Sequence, residues 1–387
     1  MVRNVDRRLS KRLRIGPFRD GAFRSRLHTE RVAAVLGIAL GVTFSICFLT
    51  GVLSHFIQHP PQGFVWPSRP AGLYRVTQSV HVATGIASIP LLLGKLWAVY
   101  PRLWMWPPVR SILHAIERLA LVPLVAGSIF LLFTGIANIA LWYPWRFFFP
   151  AAHYSAAWIT IGALIVHIGA KGAQTRRALR ARSEEVGGND GLTRRGFLTA
   201  VFGSAGLITL VTAGQTVRPL SRLALLAPRR PDVGPQGFPV NQTASAHVVA
   251  RARDPGYRLS VDGNVQTPVS LSLDDLRTWP QREAELPIAC VEGWSTSQRW
   301  RGISVAALLE SAGARGDATV RVESLQPSGL YRSSVLNPSH ARDPDTLLAL
   351  QVNGETLHID HGYPLRLIGP NRPGVMQTKW VARLVVL

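Results

Sequence analysis

Cysteine is nearly absent: the 387-residue chain has two, Cys47 and Cys290. Two thiols cannot build a disulfide framework, and Cys47 lies in an apolar run, so neither needs a partner. Acidic residues are also scarce, 22 against 43 Lys and Arg, for a formal net charge of +21. A charge of that size can indicate nucleic acid, but its placement argues otherwise. Arg and Lys crowd residues 3–31 and 171–195, in blocks that alternate with long apolar segments. Basic loops held in the cytoplasm produce that alternation in membrane proteins. Long apolar runs are missing after residue 220, so the chain divides into a membrane part and a globular part.

Hydrophobic residues make up 47% of the chain, which is high for a water-soluble protein. Four apolar segments, about 31–54, 77–100, 113–141 and 153–171, are each long enough to cross a hydrocarbon core of roughly 30 Å. A shorter fifth, about 196–214, follows "TRRGFLTAVFGSAGL". The expected organisation is a basic cytoplasmic arm over 1–30, a four-helix transmembrane domain over 31–175 and a loop over 176–195. A fifth transmembrane helix over 196–215, a proline-rich tether over 216–237 and a globular domain over 238–387 complete it. "YRLSVDGNVQTPVSLSLDDL" shows the alternation and Asp-Gly turn of short strands.

With the basic arm inside, the first helix exits with His55 at the outer face, and the second returns with His81 outside and Lys95 and Arg102 inside. The third starts inside at His114, and the fourth runs from His153 outside to His167 inside, followed by "KGAQTRRALRAR". All strongly basic loops then fall on one side, and residues 220–387 are extracytoplasmic. This predicts a multi-pass protein of the cytoplasmic (inner) membrane, with its C-terminal domain in the periplasm. "LTRRGFL" resembles the twin-arginine export signal, which makes that export machinery a candidate partner. The alternative is a plain positive stop before a membrane helix.

Polar groups inside a membrane are costly and usually functional. His153 and His167 lie 14 residues apart, which on a helix is within roughly 40° of the same face and about 21 Å along the axis. Such a pair can serve two stacked haems if each finds a second histidine at matching depth. The natural pairs are His81 with His153 and His114 with His167, with His55 able to replace His81. One or two haem b groups are expected. In helix count and histidine placement the segment resembles the diheme cytochrome b membrane subunits of respiratory oxidoreductases.

Taken alone, Cys290 can be a buried structural thiol or a nucleophile awaiting a histidine. Its surroundings are more specific. "ACVEGWS", "WRGISVAALLESAG", "LYRSS", "DTLLALQVNGETL", "DHGYPLRLIGP" and "TKWVARLVV" follow one another over residues 238–387. In that order they resemble the sulfite oxidase family of molybdopterin enzymes. The resemblance implies an α+β molybdopterin-binding domain behind the all-α membrane part. It also implies that Cys290 is the protein ligand to molybdenum, a soft thiolate suited to a metal that changes oxidation state. It places Tyr331 facing the metal site, and Asn241, His361, Arg366 and Lys379 on the cofactor, whose anionic tail wants cations and backbone donors.

Asn241 stands where sulfite oxidases carry a substrate-facing arginine, which moves the likeness toward the bacterial periplasmic branch. The expected activity is a molybdenum oxidoreductase carrying out oxygen-atom transfer. It reduces S- or N-oxides such as methionine sulfoxide, free or in proteins, with electrons from quinone or another membrane electron-transfer partner. The alternatives are a sulfite-type dehydrogenase feeding quinone and a non-catalytic membrane-anchored binding or assembly module. No nucleic acid is expected as a partner.

Overall fold

A computed structural model describes residues 23, 25, 27–105, 109, 111–181 and 192–387. Most of the basic arm and loop residues 182–191 lie outside the described residues. Five helices carry the apolar segments: α1 Glu30–Gln58, α2 Leu73–Leu103, α3 Ile112–Ile139, α4 Phe149–Arg180 and α5 Arg194–Ala213. Each is long and apolar enough to cross a membrane. In lipid the backbone must satisfy its own hydrogen bonds, and a helix does so within one segment. The helices outrun the apolar runs: α2 starts at Leu73 and α4 continues to Arg180. Arg and Lys tolerate helix well, and their long stems let the charge reach the headgroups. Large apolar side chains such as Leu49, Leu93, Leu119, Ile159 and Leu207 stand exposed along these helices, which fits lipid as their solvent.

The chain separates into two compact units. The first comprises Met1–Leu49 and His81–Leu210. Within it Val32 and Leu36 of α1, Leu91 and Ala98 of α2, and Val201 and Ala205 of α5 form one buried cluster. Gly94 permits that approach, since a Cβ there would stand 2.9 Å from Val201 Cγ2. On α4, Trp158 meets Phe48 of α1 edge to face at 4.9 Å.

The second unit joins Thr50–Val80 to Val211–Leu387. Its α+β part contains α6 Ala246–Ala252, β1 Arg258–Gly263, β2 Val269–Ser272, α7 Leu273–Thr278, β3 Arg282–Ala289, β4 Ser295–Ser304 and α8 Val305–Ser311. It continues with β5 Val320–Ser324, β6 Ser333–Leu336, α9 Pro338–Ala341, β7 Leu347–Val352, β8 Glu355–Thr356, β9 Arg366–Ile368 and β10 Val381–Val386. One sheet runs β2-β1-β10-β5-β6, and the other runs β3-β4-β7-β8 with β9 also on β7. β1 and β10 pair in parallel, and the other named pairs are antiparallel. The Asp-Gly pair expected as a turn ends β1. A core of Leu259, Val261, Ile303, Leu308, Val322 and Leu384 lies beneath the first sheet, and Trp300, Leu286 and Ile368 anchor the second.

The connection between α1 and α2 docks on this part largely through one residue. Asn371 adopts φ 53, a left-handed conformation that asparagine tolerates better than most residues. Its N–H donates to Ala71 O at 2.9 Å, and its carbonyl accepts from Trp66 Nε1 at 2.9 Å. Its Oδ1 accepts from Tyr74 N, and its Nδ2 donates to Pro67 O, both at 2.7 Å. Beside it Asn337 Nδ2 donates to Trp66 O at 2.9 Å, and Arg69 grips both Asp343 oxygens at 2.9 Å and also Asp345. Ile57 and Tyr74 pack on Ala289, at the end of β3.

Replacing Asn371 with alanine removes two side-chain bonds and leaves a side chain strained at positive φ. We expect a loss of about 2–4 kcal/mol, read as a lower unfolding temperature in detergent, with Asn371→Gly about 1 kcal/mol milder. The same docking should weaken in acid. Burial, helped by Arg372, lowers the His340 imidazole from its ordinary 6.5 to about 3. Burial alone would raise the carboxyls of Asp343 and Asp345, but hydrogen bonds from Arg69, joined by Asp345 N and Ser68 at Asp343 and by Arg282 at Asp345, together outweigh it and hold both below the ordinary range. The unfolded chain therefore takes up protons on His340 as pH falls below its ordinary value while the folded chain does not, and stability is lost across that window. The aspartates subtract more only at still lower pH. The unfolding temperature is expected to fall between about pH 6.5 and pH 4.5, more gently in His340→Gln.

Candidate functional site

β3 and β4 pair through Ala289 and Ser295, and the turn between them carries Cys290. Cys290 N donates to Trp294 O at 2.9 Å and Gly293 N to Cys290 O at 3.1 Å. The turn needs Gly293, whose φ of 85° suits a residue without a Cβ. Cys290 is 1% exposed. Its neighbour Glu292 accepts from Trp294 Nε1 at 3.1 Å and from Arg229 Nη1 at 3.2 Å. Burial, and behind it the Glu292 carboxylate, pushes the Cys290 thiol well above the ordinary thiol range. By itself such a thiol is protonated and inert, which argues against a free nucleophile.

Cations converge on this turn. Arg366 opens β9 and is 3% exposed, with its guanidinium 5.4 Å from the Trp300 ring. Its Nη1 donates to His361 O at 3.0 Å, and its buried Nε has no partner among the described residues. Burial lowers it to about 10, partly offset by Cys290. Half-buried Lys379 donates to Gln242 O at 2.9 Å and Asp360 O at 2.7 Å. Burial first and Arg366 second push its ammonium well below the ordinary lysine range.

His361 stacks on Phe238 at 3.7 Å and donates from Nε2 to Pro235 O at 2.7 Å. A carbonyl only accepts, so the lone pair lies on Nδ1, which is buried and has no partner among the described residues. Burial lowers this imidazole to about 3 and keeps it neutral. Tyr331 is half-buried within electrostatic range of Cys290; burial, then Cys290, raises its phenol. Asn241 is half-buried in the bend beside Gln242, whose carbonyl holds Lys379. Tyr331, Arg366 and Lys379 therefore each act on Cys290, Arg366 and Lys379 act on each other, and His361 lies against both cations.

Glu292, although it stands inside the cysteine motif, is not among the site residues expected from the sequence, and neither are Arg229 and Gln215. Gln215 Nε2 donates to Gly293 O at 3.3 Å, and Arg229 Nη2 to Val240 O at 2.6 Å. These partners lie far along the chain, in a stretch whose composition reads only as a connection.

Among the membrane histidines, His81 Nδ1 lies 2.8 Å from Cys47 O, and so must donate to it. Cys47, expected to need no partner, has its Sγ 3.6 Å from the same nitrogen and 3.5 Å from His81 O. His153 Nδ1 meets Thr134 Oγ1 at 3.0 Å. Thr134 uses its proton on Phe130 O at 2.7 Å, so it accepts from His153. Both imidazoles thus carry their lone pair on Nε2, and the two lie within electrostatic range of each other. His167 has Lys95, Lys171 and Glu117 as charged neighbours, and Lys171 pairs with Glu117. His114 lies in the first turn of α3, with its N–H capped by Ser111. His55 stacks on His59 at 4.8 Å. Among the described residues no three His, Cys, Asp or Glu side chains gather as a metal cage.

Residues 246–387 match the family model of the oxidoreductase molybdopterin binding domain. A protein of Azospira oryzae, provisionally named a protein-methionine-sulfoxide reductase subunit, YedZ1, is 30% identical over 149 residues, 38% of this chain and 56% of that protein. Mitochondrial sulfite oxidase of Mus musculus is 33% identical over 157 residues, 34% of this chain and 29% of that protein. The sulfane dehydrogenase SoxCD of Paracoccus pantotrophus overlaps 34% of this chain and 38% of its own at 26% identity, with a TM-score of 0.32. The chain thus spans little more than half of the first relative and under a third of the second. With Cys290, Arg366 and Lys379 gathered inside it, the segment 246–387 is a molybdopterin-binding oxidoreductase domain related to that of sulfite oxidases, on a chain that also carries five apolar helices.

Proposed function

We propose that the protein is a membrane-bound molybdenum oxidoreductase that reduces S- or N-oxides, such as methionine sulfoxide, with electrons carried through haem b from quinone. The observation that carries this reading is the buried Cys290 thiol beside two cations, Arg366 and Lys379, that are held by carbonyl oxygens rather than by ion pairs. An unpaired buried charge is costly. The orphaned Arg366 Nε and His361 Nδ1 fit a bound anion with its own donors and acceptors. Molybdopterin, when bound, supplies the redox centre at which an oxygen atom is exchanged against two electrons.

Around that group, Cys290 would hold the metal. Arg366 and Lys379 would face the anionic tail, with Asn241 near its approach. His361 would accept a hydrogen bond from the ring system. Tyr331 would donate one to the substrate oxygen. The name of the Azospira relative supports methionine sulfoxide as substrate. The sulfite oxidase relatives support the reverse direction, a dehydrogenase delivering electrons to quinone; Asn241, in place of a substrate-facing arginine, speaks against sulfite itself.

The membrane part, read as a four-helix cytochrome b with α5 as a further anchor, would hold one haem between His81 and His153. Their Nδ1–H bonds to Cys47 O and Thr134 would fix each imidazole for ligation through Nε2. His114 and His167 remain the pair proposed for a second haem. The charge pattern supports a cytoplasmic N-terminus and a periplasmic oxidoreductase domain in the inner membrane. Arg194 and Arg195, at the start of α5, are the proposed signal for the twin-arginine machinery.

Two experiments test this reading. Dithionite-reduced protein, mixed anaerobically with methionine sulfoxide, should show haem reoxidation that falls to background in Cys290→Ser. Bands that stay reduced in the wild type would turn the assignment toward the dehydrogenase. Thr134→Val should weaken haem retention by about 10–100-fold, and His153→Leu should abolish retention of that haem, both measured as haem per protein after purification.

A further inference from the structure

We propose that Gln215 and Arg229, assisted by Gln78, are positioning residues for Cys290: side chains from outside the molybdopterin-binding domain complete the turn that carries its metal ligand. The inference rests on the reading of Cys290 as that ligand. Each of the three residues after Cys290 is held by a different side chain. Val291 O accepts from Gln78 Nε2 at 3.5 Å, a long contact. The Glu292 carboxylate accepts from Arg229 Nη1 at 3.2 Å, and Gly293 O from Gln215 Nε2 at 3.3 Å. Gln78 lies on α2, Gln215 just after α5, and Arg229 in the proline-rich stretch. None of them belongs to residues 246–387.

Two features mark these contacts as built rather than incidental. Gln215 is 4% exposed, and its Oε1 has no partner among the described residues, so its contact with the turn is the reward for burying the amide. Arg229 is fixed at both ends, by Glu292 and by Val240 O, and its side chain is only 20% exposed. A charge-assisted bond inside the protein is short-ranged and directional, so it fixes the carboxylate beside Cys290 more firmly than solvent could. Without Arg229, Glu292 would be a buried anion next to a sulfur that must itself become an anion to bind metal. Ile57 and Tyr74 close the same region from beneath by packing on Ala289. The helix ends and the linking stretch thereby set the posture of the sulfur.

The test uses the full chain in detergent, as wild type, Gln215→Leu, Arg229→Met, the double variant and Arg229→Lys. In protein from a host unable to make molybdopterin, the rate of Cys290 alkylation by iodoacetamide is followed by peptide mass mapping, with Cys47 as internal reference. The double variant should react about 10-fold faster at Cys290 with Cys47 unchanged, and Arg229→Lys should stay near wild type. In cofactor-loaded protein of equal molybdenum content, the molybdenum(V) electron paramagnetic resonance signal should shift in Arg229→Met and return in Arg229→Lys. Equal Cys290 rates in all variants, or one unchanged resonance signal, would overturn the proposal. A variant that gains reactivity at both cysteines has unfolded, and the single substitutions then decide. Wild-type protein that takes up no molybdenum from a competent host would sink the ligand assignment instead, while the alkylation rates still report on the turn.

Discussion

Positive charge taken out of water without a carboxylate in ion-pair contact governs the oxidoreductase domain. None of the ion pairs among the described residues involves Arg366 or Lys379. Desolvating such ions costs several kcal/mol each. What the protein offers them is a set of carbonyl oxygens, from His361, Gln242 and Asp360, and the face of Trp300. Carbonyls hold a cation in place without neutralising it. The field that remains is the one an anionic group and a thiolate need. Cofactor and pocket would therefore stabilise each other, since the same cations that favour the tail also favour sulfur in its charged form.

The cysteine turn shows the opposite strategy. There a carboxylate is buried, and it is neutralised, by an arginine that lies outside the residues matched by the family model. Within electrostatic range of one another, the domain would keep one set of charges open and close another. The open set faces the place where a ligand is expected, and the closed one supports the backbone.

The sequence revealed different parts of this unequally. The five helices were legible because twenty or so apolar residues in a row admit few other structures. Their ends were not, because helix propensity carries α4 past the apolar run to Arg180. Cys290, Tyr331, Arg366 and Lys379, the proposed site residues, could be singled out because they stand in short motifs, each of which keeps its residues together in the chain. Arg229, Gln215 and Asn371 were not, because their roles depend on partners 63 to 305 positions away. The lock on His81 was invisible for another reason. It is made by the backbone carbonyl of Cys47, a group every residue has, so no side-chain pattern could signal it.

The docking of residues 66–74 on Asn371 bears on how this enzyme can be handled. A shorter protein starting near Val211 would lose Ile57, Trp66 and Tyr74 together. It would bare the apolar patch around Ala289 and Met376 and leave the polar groups of Asn371 without their partners. That sticky surface would open right behind the cysteine turn. Making the domain water-soluble is therefore a matter of grafting rather than trimming: the loop that caps the patch has to travel with it.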